Sequence, residues 1–156
     1  QARENLGLKN AEFWVIGNVL PNIHDLVKPF TKNPTIKFMR SQSWNSLAKL
    51  FSQASCFVIS SIEEWLAITQ LQAMACGLPV ISNINSGGEN CVVPWVNGFM
   101  TELRNVDDIS HKIQYLYDHR EECNILWKQA ATYVRENHRW DEYAKRAYEK
   151  YLSLLS

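Results

Sequence analysis

Five short runs of β-favouring residues alternate with helical periodicities, and that alternation narrows the fold more than any other feature of the chain. The runs are EFWVIG (12–17), TIKFM (35–39), CFVIS (56–60), PVIS (79–82) and GFMT (98–101), most of them bounded by turn residues. After the first run, Ile23, Leu26, Val27 and Phe30 recur at helical spacing within 22–32, and Leu47, Leu50, Phe51 and Ala54 repeat it. A third helix over roughly 65–76 carries Leu66, Ala67, Leu71, Ala73, Met74 and Ala75, apolar on more than one face, which predicts deep packing. Gly77 is placed to cap it in a left-handed conformation, and Pro79 prevents continuation. The pattern predicts an α/β fold: a Rossmann-like parallel sheet with helices on both faces.

From Asn105 the chain reads as C-terminal helices. Asn105 can cap a helix whose Asp107 and Asp108 suit its positive dipole end, with Ile109, Ile113 and Leu116 as the buried stripe. Cys123, Leu126, Trp127, Ala130, Ala131 and Val134 form the next stripe. The last runs from Trp140 through Tyr143, Ala144, Ala147, Tyr148, Tyr151 and Leu152 to Leu155. So long a stripe needs a sizeable surface to cover, part of which can lie outside this chain. The 156 residues suffice for one domain, 1–156, and not for two.

Charge excludes several classes. Lys+Arg and Asp+Glu are 16 each, so no global field favours nucleic acid or an anionic membrane. No apolar run approaches the ~20 residues that cross a bilayer, and QARENLGLKN is no signal peptide, which points to a cytoplasmic protein. Between Phe51 and Glu102 there is no Lys or Arg, while Arg104 to Lys150 holds nine charges of each sign. The middle therefore reads as a buried scaffold with a few carboxylates, the end as a solvated helical layer. Cys56, Cys76, Cys91 and Cys123 form no CxxC pair and the histidines are scattered, so no metal site is expected and the thiols read as buried and reduced. No GxGxxG follows the first strand, and no P-loop, HExxH or GxSxG occurs.

Three features remain as candidates. Glu63-Glu64 lies where the third strand gives way to a helix, the edge of an open α/β sheet at which ligands bind. A carboxylate there can bind hydroxyls, or merely complement the helix dipole. Gln72 follows eight residues later, just over two turns along, and is expected to share the helical face of Glu64 and its groove, or to be a solvated or core-edge polar residue. NSGGEN (85–90) offers backbone N–H groups to an anion, or is a plain turn.

Together, SIEEWLAITQLQAMACGLPVIS resembles the signature of the retaining family-4 glycosyltransferases of the GT-B fold: a Glu, seven residues, a second Glu, then Ala-Met-Ala-x-Gly-x-Pro-Val. LKNAEFWVIGN, NPTIKFMRSQSWNSLAKLFSQASCFVISS and SGGENCVVPWVNGFM continue the match in order, and RWDEYAKRAYEKYLSLL is similar to the family's closing helix. The resemblance implies the C-terminal, donor-binding half of such an enzyme, moving a sugar from a nucleotide-diphosphate sugar to a hydroxyl acceptor with retention and without cofactor or metal. It implies Glu64 as the catalytic and sugar-contacting carboxylate, with Trp65, Leu66, Ala67 and Ile68 beside the sugar and diphosphate. It places Gln72 at the ribose, and Gly17 and Arg40 among the donor contacts.

The chain departs from the family in two places: Gln72 replaces the second Glu, and Trp65-Leu66-Ala67 replaces Gly-Phe-Gly. The family's first strand, its phosphate-binding Arg and Lys, and its N-terminal acceptor domain are absent from this sequence. The acceptor half would also carry any peripheral membrane contact. The chain therefore reads as a fragment, inactive alone. In the family that first strand lies centrally, so the strands at 12–17 and 56–60 are expected to close up and pair, or to receive a strand from another chain. The rival reading is a non-catalytic nucleotide-sugar-binding or partner module with a degenerate site. An epimerase or phosphorylase of similar architecture comes third.

Overall fold

The computed structural model describes Leu8 and residues 11–155. Five strands follow the expected runs: β1 Phe13–Ile16, β2 Ile36–Met39, β3 Phe57–Val58, β4 Val80–Asn83 and β5 Gly98–Thr101. All pairings are parallel, as the helical crossovers require. They form two sheets, however: β1–β2 and β3–β4–β5.

The expected closure of β1 onto β3 therefore does not occur. A cleft of about 940 Å³ separates the two strands. The helix after β2, α2 (Trp44–Phe51), lines this cleft with Leu47, Leu50 and Phe51. Its Phe51 meets Phe57 edge-on at 5.7 Å, and its Leu47 packs into the core under β4.

Around β3–β4–β5 the core has two faces, because successive strand residues point to opposite sides. Val80 joins Phe51, Met74, Leu78, Val92 and Ala130 on one side. Ile81 joins Phe99, Leu116, Cys123 and Leu126 on the other. These side chains come from α2, α3 (Ile68–Ala75), α4 (Val106–Asp118) and α5 (Arg120–Asn137), so this sheet carries helices on both faces.

The ends of α3 and α4 follow local chemistry. After α3, Gly77 takes φ +90°, its N–H donates to Met74 O at 2.8 Å, and the Leu78 N–H reaches Ala73 O at 3.0 Å. These paired bonds satisfy the carbonyls that the helix end would otherwise orphan. Asn105 caps α4 as expected, its Oδ1 accepting the Asp108 N–H at 2.9 Å. The start of α3 differs: it begins at Ile68, three residues later than the periodicity predicts, because 61–67 is held as a loop.

Residues 22–32 also differ from expectation. They form two 3₁₀ turns, Pro21–Ile23 and Lys28–Phe30, around the single-turn α1 (His24–Val27). Leu26 is 71% exposed, and Ile23 and Phe30 are exposed too. Pro29 lacks the backbone N–H that would continue the ladder of α1, and the chain goes on as a 3₁₀ turn, so no continuous stripe forms. The final helix, α6 (Trp140–Ser153), is long as expected but leaves Trp140, Tyr143, Tyr148, Tyr151 and Leu152 exposed. No described helix is long and apolar enough to cross a membrane. Of the LKNAEFWVIGN match, Lys9 and Asn10 lie outside the described residues.

Between α5 and α6, the Nε2 of half-buried His138 is enclosed without a hydrogen-bond partner. Burial first, and the charge of Arg146 second, hold its pKa below the ordinary value. The unfolded chain therefore takes up this proton at higher pH than the folded one. The stability His138 contributes is full above about pH 6.5 and is lost as pH falls through the folded value. We expect the urea midpoint to drop between pH 7.5 and 5.5, and the drop to shrink in His138→Gln.

Candidate functional site

The loops after β1 to β4 leave the C-terminal ends of the parallel strands. After β1, Gly17 takes φ +145° in open space, and its N–H donates to Met39 O at 2.9 Å. Asn18 Oδ1 then accepts the Ser41 N–H at 3.4 Å, joining the loops after β1 and β2; Arg40 stands exposed between them.

The loops after β3 and β4 are bound more tightly. The Glu64 N–H donates to Asn85 O at 2.7 Å. Gly87 packs so closely beneath the loop that a Cβ there would lie 1.9 Å from Trp65 O and 2.7 Å from Leu66 Cα. Its φ of +70° is the left-handed conformation glycine adopts without strain.

A buried polar network secures both loops from below. Gln70 Nε2 donates to Ser86 O at 2.5 Å, Ser86 Oγ to Asn83 Oδ1 at 3.1 Å, and Asn83 Nδ2 to Ser61 O at 3.3 Å. All three residues are wholly buried, so each bond satisfies a group whose desolvation would otherwise be costly. The sequence reading missed this network. Its one signal was Gln70, a polar residue among the apolar positions of AITQLQAMA.

Glu63, Glu64 and Trp65 are consequently exposed, Trp65 at 94%. Leu66 is half-buried, Ala67 is buried, and Ile68 opens the helix with its side chain half exposed. Ala67 provides no side-chain cap and α3 has no acid in its first turn. Among the described residues, the backbone N–H groups from Trp65 to Thr69 are unpaired. Amides of this kind beside carboxylates can hold an anionic group and hydroxyls at the same time. Gln72 is half-buried in the second turn of α3. It does not share a helical face with Glu64, because Glu64 lies in the loop and not on the helix.

The cysteines lie away from these loops' surface. Burial pushes the Cys56 thiol up to about 12 and that of Cys91 to about 11, so both remain neutral and unreactive. No group of three or more metal-ligating side chains gathers among the described residues.

Residues 3–133 match the family model described as "Glycosyl transferases group 1". The chain belongs to that family. Among group 1 relatives, the sulfoquinovosyl transferase of Arabidopsis thaliana is 31% identical over 124 residues, covering 77% of this chain and 24% of that protein. Sucrose-phosphate synthase from Thermosynechococcus elongatus superposes with a TM-score of 0.87 at 21% identity, over 99% of this chain and 41% of that one. Anabaena HepE, solved in complex with UDP, gives 0.89 at 18% identity, over 97% and 43%. These likenesses establish the α/β fold of parallel sheets flanked by helices found in GT-B glycosyltransferases. The group 1 chain described here spans 24% of the curated relative and about two-fifths of the solved ones.

Proposed function

We propose that this chain is the C-terminal, donor-binding half of a retaining, family-4 type hexosyltransferase, which moves a sugar from a nucleotide diphosphate to a hydroxyl acceptor. The observation that carries the reading is the run of unpaired amides at the uncapped start of α3, set beside the exposed Glu63-Glu64 pair. In this reading Glu64 binds donor-sugar hydroxyls and acts at the reacting centre. The amides from Trp65 to Ile68 face the sugar and diphosphate, Gln72 meets the ribose, and Gly17 and Arg40 border the nucleotide. Membership of the glycosyl transferase family and the UDP complex of the HepE neighbour support it.

The mechanism is one of positioning and charge stabilisation. The departing diphosphate gathers negative charge, which preoriented N–H groups stabilise without reorganising. Residues 51–102 contain no Lys or Arg, so the cations that neutralise two phosphates come from elsewhere in the full-length protein, as does the acceptor-binding half. This chain alone is expected to show no turnover.

Titrating the full-length protein with a panel of nucleotide sugars tests the reading; binding of none of them would reject it. Gln72→Glu is expected to tighten nucleotide-sugar binding by roughly 1 kcal/mol, since a ribose hydroxyl then meets a charged acceptor. Unchanged affinity would remove Gln72 from the site. A second reading, a non-catalytic sugar-nucleotide or partner module, is favoured by the bare indole of Trp65 and the amide of Gln72. Donor binding without transfer by the full-length protein would select it.

A further inference from the structure

The fold makes no use of the Trp65 indole. It is 94% exposed, and among the described residues it makes no ring contact and its Nε1–H has no acceptor. The backbone that carries it is nonetheless fixed: the Glu64 N–H is bonded to Asn85 O at 2.7 Å, and the chain at Trp65 rests on Gly87. An indole has only two side-chain torsions, so on a fixed backbone it offers a large apolar face at little cost in conformational entropy. The family pattern that this stretch resembles has glycine here, so the indole is particular to this chain.

What the indole can hold follows from its neighbours. Glu63 and Glu64 are exposed beside it, and ionised carboxylates only accept hydrogen bonds. Ile62 and Ile84, two residues before Glu64 and one before Asn85, are exposed as well. Residues 51–102 bring no Lys or Arg to these loops. The surface thus joins an apolar plane to hydroxyl-binding carboxylates and supplies no cation. A pyranose matches it: one ring face turns C–H groups to an aromatic plane while the rim presents hydroxyls. A phosphorylated acceptor would meet like charge, and an alkyl alcohol would leave the carboxylates without donors.

In the proposed reaction the acceptor oxygen bonds to the anomeric carbon as the bond from that carbon to the diphosphate breaks, and the hydroxyl proton leaves on the diphosphate. The acceptor must come within about 3–3.5 Å of that carbon, beside the carboxylate that holds the same sugar. The backbone N–H of Trp65 faces the donor in that reading, while its indole stands clear of the loop, on the solvent side from which a second substrate arrives. We infer that the Trp65 indole stacks on the acceptor, and that the acceptor is a neutral sugar. This rests on the donor-binding reading and adds the acceptor class to it, with Trp65 as a specificity-determining residue.

Rates of nucleoside diphosphate release by the full-length protein test it, with the nucleotide sugar chosen by titration as donor. The acceptor probes are the methyl glycosides of glucose, galactose and mannose, with methyl glucoside 6-phosphate and 1-octanol as contrasts. At least one neutral glycoside is expected to be used. Its KM should rise about tenfold in Trp65→Ala, and Trp65→Phe should recover most of that loss. The donor Kd, titrated into the same variants, should rise less than the acceptor KM. The inference is overturned by an acceptor KM that Trp65→Ala leaves unmoved, by a Phe variant no better than Ala, or by a donor Kd that rises as much. Transfer only to the phosphorylated glycoside or to octanol, or to no probe at all while the donor still binds, would overturn it too. If no nucleotide sugar binds the unaltered protein, the donor reading itself falls, and this inference with it.

Discussion

Gly87→Ala is expected to destabilise the protein by about 3 kcal/mol and to loosen the candidate site with it. Two costs add at this residue. A non-glycine side chain in the left-handed region costs roughly 1–2 kcal/mol. The new Cβ would also fall 1.9 Å from Trp65 O, a backbone atom of a loop already tied to Asn85, so the loop must lift. Gly17→Ala is the control. Its φ of +145° also strains an alanine, but nothing lies within 4 Å of the added Cβ. Urea unfolding of the full-length variants should show the larger loss for Gly87→Ala, accompanied by weaker nucleotide-sugar binding. Equal losses at the two glycines would mean that the loop after β3 does not rest on Gly87.

Glu64→Ala is expected to weaken nucleotide-sugar binding by about 2 kcal/mol, the loss typical of a hydrogen bond to a charged group, and to abolish measurable transfer. Binding of the free nucleotide should change far less, because the proposed partner of Glu64 is the sugar. Calorimetry with both ligands separates these outcomes. Glu63→Ala, one residue away and also exposed, provides the comparison. Equal weakening toward nucleotide and nucleotide sugar would show that Glu64 acts through general charge and would favour the partner-module reading. Gly87→Ala and Glu64→Ala fail differently, the first through folding and the second with folding intact.

Much of this protein was legible in its sequence because the signals are local. The five strand runs, the glycine cap after α3, the Asn105 cap of α4 and the buried stripe of α5 each depend on residues within a turn or two of one another. Their periodicity and capping chemistry operate before any tertiary contact forms. The order of motifs from Glu64 to Pro79 was enough to indicate the family that residues 3–133 match.

Only the tertiary structure decided the rest, because those features depend on partners far apart in the chain. The start of α3 moved to Ile68 because Asn85 and Gly87, some twenty residues on, hold 61–67 as a loop. That displacement removed the helical argument linking Glu64 to Gln72. The buried set Gln70, Asn83 and Ser86 carried almost no sequence signal, since polar residues become a network only when strands and loops bring them together. The division into a β1–β2 sheet and a β3–β4–β5 sheet was likewise visible only in the tertiary structure. Periodicity determines which face of an element is buried; the packing of distant elements determines what it is buried against.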